Sequence, residues 1–114
     1  MLTIFGSPGE PIKEKRYPPL SDQVVLDIVK KCTTANGQVV WTVHFKIRMQ
    51  ERNVSMSDVL NVFDNVRTSK LPEWNKEYEE YNYFVTGEDI EGTELTLKIA
   101  ISEEKDMITM ITLY

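Results

Sequence analysis

The alternation of apolar and polar residues is clearest in the last third of the chain. Leu95 to Ile101 alternates strictly, with Leu95, Leu97, Ile99 and Ile101 on one parity and Thr96, Lys98 and Ala100 on the other. Met107 to Leu113 is rich in β-branched residues, and Tyr81 to Thr86 is aromatic and β-branched before Gly87, where the pattern predicts a break. All three read as strands. The short polar links at Glu88–Thr93 and Ser102–Asp106 predict hairpins, and so an antiparallel meander.

Earlier segments follow a helical period. From Ser21, a good N-cap followed by Asp22, the residues Val24, Val25, Leu26, Ile28, Val29 and Cys32 form a broad apolar face that ends at Asn36-Gly37. Ser55 and Asp58 have capping-box spacing and open a second helix through Val59, Leu60, Val62 and Phe63, fraying at 67–69 before Pro72. Residues 39–50 are ambiguous. Trp41, Val43, Phe45, Ile47 and Met49 alternate with polar neighbours, and this periodicity alone favours a strand. Read as a helix, the apolar residues split into two arcs, Val43/Ile47 and Phe45/Met49. Both readings place His44 and Arg48 on one face. Residues 1–20 hold four of the five prolines and predict an irregular arm, with Leu2–Phe5 as a candidate edge strand. Helices first and a meander after give an α+β class: two or three helices packed on a small antiparallel sheet, in a single domain over residues 21–114.

Charge refines this picture. The net is −5, which argues against a general nucleic-acid binder. Residues 1–72 carry 10 Lys/Arg against 7 Asp/Glu, whereas residues 73–114 carry 3 against 11. Such a chain can present one basic cleft, or dock a basic partner through its acidic part. Cys32 stands alone, which excludes an internal disulfide. One histidine and one cysteine leave zinc short of its usual ligands, so no metal or cofactor is expected. The apolar run Met1–Phe5 is too short for a signal peptide or a membrane span, and a cytoplasmic location follows by default.

The candidate chemistry lies in His44-Phe45-Lys46-Ile47-Arg48-Met49-Gln50-Glu51-Arg52. His44, Arg48 and Arg52 recur every four residues. Histidine, with an ordinary pKa near 6.5, serves as acid or base at neutral pH, and arginine offers forked donors to phosphate oxygens. The competing reading is a solvated face, with the arginines paired to Glu51, Asp58 or sheet carboxylates. Lys98 points away from the apolar face, either to solvent or into a cleft. Trp74, Tyr78, Tyr81 and Tyr83 read as packing or partner contact, because Glu77, Glu79 and Glu80 beside them would repel a phosphate backbone.

His44-x3-Arg48-Met49-x2-Arg52, followed by a capped helix and a meander, resembles the RelE/ParE toxin superfamily. The resemblance is to its uncharacterised relatives with an H-x3-R-M-x2-R helix and to MqsR-like mRNA interferases, through Val85-Thr86-Gly87 and Leu97-Lys98-Ile99. The His/Arg segment is helical in that group, which favours a helix from about Trp41 onward. The resemblance implies a RelE-like fold and a bacterial toxin–antitoxin endoribonuclease that cleaves RNA without a metal. His44 would be the acid/base, Arg48 and Arg52 the phosphate ligands, Tyr83 or Lys98 an assistant, and an antitoxin protein the partner. Two positions depart from the MqsR-like pattern: Thr96 stands where a functional tyrosine precedes the Leu-Lys-Ile triplet, and no lysine lies near Tyr114. The rival is a non-catalytic binding module on the same scaffold, a decayed toxin or a mobile-element inhibitor of a host factor.

Overall fold

The computed structural model describes residues 17–34 and 37–114. The arm and the Leu2–Phe5 strand expectation therefore fall outside the described residues, apart from 17–20. The elements are α1 (Asp22–Thr34), β1 (Gln38–Trp41), α2 (Val43–Arg52), α3 (Met56–Val62) with a 3₁₀ turn at Phe63–Asn65, β2 (Arg67–Thr68), β3 (Glu73–Asn75), β4 (Glu80–Glu88), β5 (Glu94–Ser102) and β6 (Met107–Leu113). The class is α+β. The strand order is β1-β6-β5-β4-β2, with β3 also on β4.

The meander β4-β5-β6 forms as its alternation predicts, pairing Tyr83 with Ile99, Val85 with Leu97, and Ile101 with Ile108. Two features depart from expectation. β1 joins the outer edge of β6 in parallel, Gln38 opposite Met107 and Trp41 opposite Met110, so the sheet is mixed. No hairpin links these strands, and the long excursion between them leaves the chain free to return in the same direction. Also, β4 runs through Gly87 to Glu88 instead of breaking. A Cβ at Gly87 would lie 2.3 Å from the Val62 carbonyl oxygen, so the glycine is there for the close approach of the α3 end to the strand.

The described helices bury their apolar residues against one sheet face. Val25, Val29 and Cys32 of α1, Phe45 and Met49 of α2, and Val59 and Val62 of α3 meet Val85, Leu95, Leu97, Ile99, Ile108, Met110 and Leu113. The α1 contact is narrower than the predicted face, for Val24 is exposed. Burial pushes the Cys32 thiol above its ordinary pKa, so it is an inert core thiol. The strand-like reading of residues 43–49 fails in favour of a helix. Phe45 and Met49 are buried while Val43 is 74% and Ile47 47% exposed, so only one of the two apolar arcs faces the core. Thr42 decides the start: its Oγ1 accepts the Phe45 amide at 3.1 Å and donates to the Met110 carbonyl at 2.7 Å. Asn53, in the left-handed region at φ 56°, ends the helix. The Ser55–Asp58 capping box of α3 forms as predicted and holds the Asp58 carboxyl below its usual range.

The register shifts between Lys98 and Ile99. Lys98 pairs with Thr112 but Ile99 with Met110, so Ile111 is an extra residue on β6. Ile108, Met110 and Leu113 can therefore all lie in the core, although Leu113 has the opposite parity.

Candidate functional site

The second sheet face carries the polar parity: Asn82 and Thr86 of β4, Thr96 and Lys98 of β5, and Thr109 and Thr112 of β6. The capped start of α2 lies over the β6 side of the sheet and places the exposed His44 at one end of this face. A hollow of about 400 Å³ opens beside it. Its walls are Thr42 and His44 from the α2 start and Asn75, Tyr78 and Glu80 from the β3–β4 hairpin. Ala100, Ile101 and Ser102 of β5 and Met107, Thr109 and Ile111 of β6 complete them.

The hairpin wall is organised by Asn75. Its Oδ1 accepts the Glu77 amide at 3.0 Å and the Tyr78 amide at 3.3 Å, and its Nδ2 donates to Asn82 Oδ1 at 3.3 Å. This chain of bonds sets the orientation of both side-chain amides. It leaves the buried Asn82 Nδ2 with no hydrogen-bond partner among the described residues. Burial raises the Glu80 carboxyl above its ordinary pKa. The hollow thus has an imidazole and a partly desolvated carboxyl on its walls.

The other expected site residues lie elsewhere. Arg48 Nε donates to the Leu113 carbonyl at 3.0 Å and its Nη1 to Glu51 at 3.0 Å. This is part of the solvated-face reading, although Nη2 stays without a partner among the described residues. Arg52 is exposed at the far end of α2, and neither arginine lines the hollow. Lys98 is on the same sheet face as the hollow. Its Nζ lies 3.5 Å from Glu73 and 5.8 Å from the centre of the Phe84 ring. Lys70 Nζ also lies over that ring, 4.8 Å from its centre. Tyr83 projects to the opposite, helix-covered face. There its hydroxyl accepts the Leu20 amide at 3.0 Å, and burial raises its pKa. An assisting role for Tyr83 at the hollow is therefore set aside, because the sheet lies between. The packing reading of the aromatics holds for Trp74 and Tyr81, whose rings meet each other and that of Tyr17 edge to face.

The sequence reading missed Glu80 and Asn75 as site residues. Glu80 stood among three similar glutamates, and only the hairpin singles it out. Among the described residues no group of three or more His, Cys, Asp or Glu is placed to hold a metal ion, and no helix is long and apolar enough to cross a membrane.

The model of a family described as a domain of unknown function, DUF4258, matches residues 41–114, well over half of the chain. The chain belongs to the DUF4258 family. No curated protein and no solved structure matches it. The DUF4258 segment begins at Trp41, one residue before the cap of α2. It contains every residue that lines the hollow, together with His44, Arg48, Arg52, Tyr83 and Lys98, whereas α1 and most of β1 precede it.

Proposed function

We propose that this DUF4258 chain is a toxin-type endoribonuclease of the cytoplasm, held in check by a protein antitoxin, that cleaves RNA without a metal. The observation that carries this reading is the exposed His44 on the wall of a hollow large enough for a nucleotide fragment. An imidazole there can take the 2′-hydroxyl proton or protonate the leaving oxygen. Arg48 Nη2 and Arg52 extend along the same helix and offer donors to neighbouring phosphates. Lys98, on the same sheet face, supplies a further cation. The products would be a 2′,3′-cyclic phosphate or a 3′-phosphate and a 5′-hydroxyl.

The test is cleavage of a mixed RNA pool in chelator. His44→Ala is expected to lower the rate about 10²–10⁴-fold with the circular dichroism unchanged. Equal rates in the two proteins would discard the mechanism. A non-catalytic binding module is the second reading. The Arg48–Glu51 pair and the 11 Asp/Glu against 3 Lys/Arg in residues 73–114 favour it. It predicts neither cleavage nor salt-sensitive RNA binding.

A further inference from the structure

The walls of the hollow restrict what can enter. No lysine or arginine lines it, and Glu80 does. A phosphate would meet a carboxylate with no lysine or arginine beside it. Ala100, Met107 and Ile111 present apolar surface, and Tyr78 stands at the mouth with its ring largely exposed. Such walls suit a flat, neutral, donor-bearing ring that stacks on an aromatic and lies over aliphatic side chains. Glu80 has no hydrogen bond or ion pair among the described residues, so both carboxylate oxygens are open to N–H donors.

We infer that the hollow is a base pocket that seats an unstacked guanine, with the Glu80 carboxylate accepting from guanine N1–H and the exocyclic N2–H. The inference rests on the ribonuclease reading for its choice of an RNA ligand. Guanine is selected by donor geometry. Its Watson–Crick edge carries two adjacent donors, which match the two oxygens of one carboxylate. Adenine and cytosine place an acceptor beside their amine, and uracil flanks its one N–H with two carbonyls. The partial burial that raises the Glu80 pKa is offset when two donors replace the lost water. With the base in the hollow, the sugar and phosphate lie towards the His44 wall and the Arg48 side of α2. The base pocket and the reacting group then share one site without crowding phosphate against Glu80.

The experiment titrates the four nucleoside 3′-monophosphates into the full chain, followed by tryptophan fluorescence. Guanosine 3′-monophosphate should bind about tenfold or more tighter than the other three, the discrimination of one two-point contact. Glu80→Gln should reduce that preference to below about threefold while the other affinities stay put, and His44→Ala should keep it. Independently of any variant, the methyl resonances of Met107 and Ile111 should shift when guanosine 3′-monophosphate is added. The inference is overturned by equal binding of the four nucleotides, by preference for another base, by a preference unchanged in Glu80→Gln, or by methyl shifts confined elsewhere. Failure here is distinct from failure of the ribonuclease reading. RNA cleavage with no base preference removes the pocket and leaves the enzyme. Selective guanosine binding without cleavage removes the enzyme and leaves the pocket.

Discussion

The two faces of one sheet differ in what their residues can do. On the helix-covered face, Val85, Leu97, Ile99, Ile108, Met110 and Leu113 are fully buried against α1, α2 and α3. The other face carries the buried Asn82 and Phe84, the partly exposed Thr96, Lys98 and Thr109, and a water-accessible hollow. The first face is built from residues that gain by losing water. The second holds donors, acceptors and charges whose desolvation costs free energy unless something pairs with them. The hollow sits where that cost is still open, at Glu80 and beside the orphan amide of Asn82. Stability and chemistry are thus separated across about the thickness of one strand layer.

Adjacent residues of α2 test this separation most strongly. Phe45 is fully buried and His44 exposed. Phe45→Ala should lower the unfolding free energy by about 3–5 kcal/mol. His44→Ala should change it by less than about 0.5 kcal/mol while cleavage is lost. Urea unfolding of both variants reads the contrast, and a His44→Ala loss as large as that of Phe45→Ala would erase it. Next comes Gly87→Ala, which drives a methyl into the Val62 carbonyl on the covered face. It should cost about 1–3 kcal/mol in the same assay, and an unchanged midpoint would show that α3 does not approach the strand so closely.

Thr42 belongs to both faces, since it caps α2, bonds to the Met110 carbonyl and lines the hollow. Thr42→Ala should cost about 1–2 kcal/mol by thermal unfolding and also weaken nucleotide binding. Loss of stability with binding intact would separate the cap from the site. The smallest effect is expected at Glu80. Its pKa is raised in the folded protein, so the folded state holds this proton more tightly than the unfolded chain does. Stability from the protonated form is full below the ordinary glutamate range and is lost as pH rises through the raised value. Glu80→Gln should therefore raise the melting temperature near neutral pH and give no advantage in acid. A gain that is the same at both pH values would mean that burial of the charge is not the cause.

Much of the fold was legible in local patterns. The parity of Leu95–Ile101 and the Ser55–Asp58 spacing act within a few residues of themselves, and the side chains concerned carry their own instructions. The site was only half legible. His44 was marked by its chemistry, but its companions were taken to be Arg48 and Arg52, which share its helix. The hollow instead pairs it with Glu80 and Asn75, more than thirty residues away in sequence. No local period records that neighbour.

The sequence by itself determined the class, the meander, the capped helices and the place of the one histidine. Tertiary structure decided the rest. Thr42 could end a strand and start a helix because the Met110 carbonyl, 68 residues away, was there to accept the hydrogen bond of its hydroxyl. The extra residue Ile111 turned Leu113 inward against its own parity because the core had room for it. Which carboxylate shares the hollow with His44 followed from the β3–β4 hairpin, whose turn Asn75 closes. Local propensity is set by a side chain and its neighbours along the chain, whereas burial and pairing are set by whatever the completed sheet brings alongside.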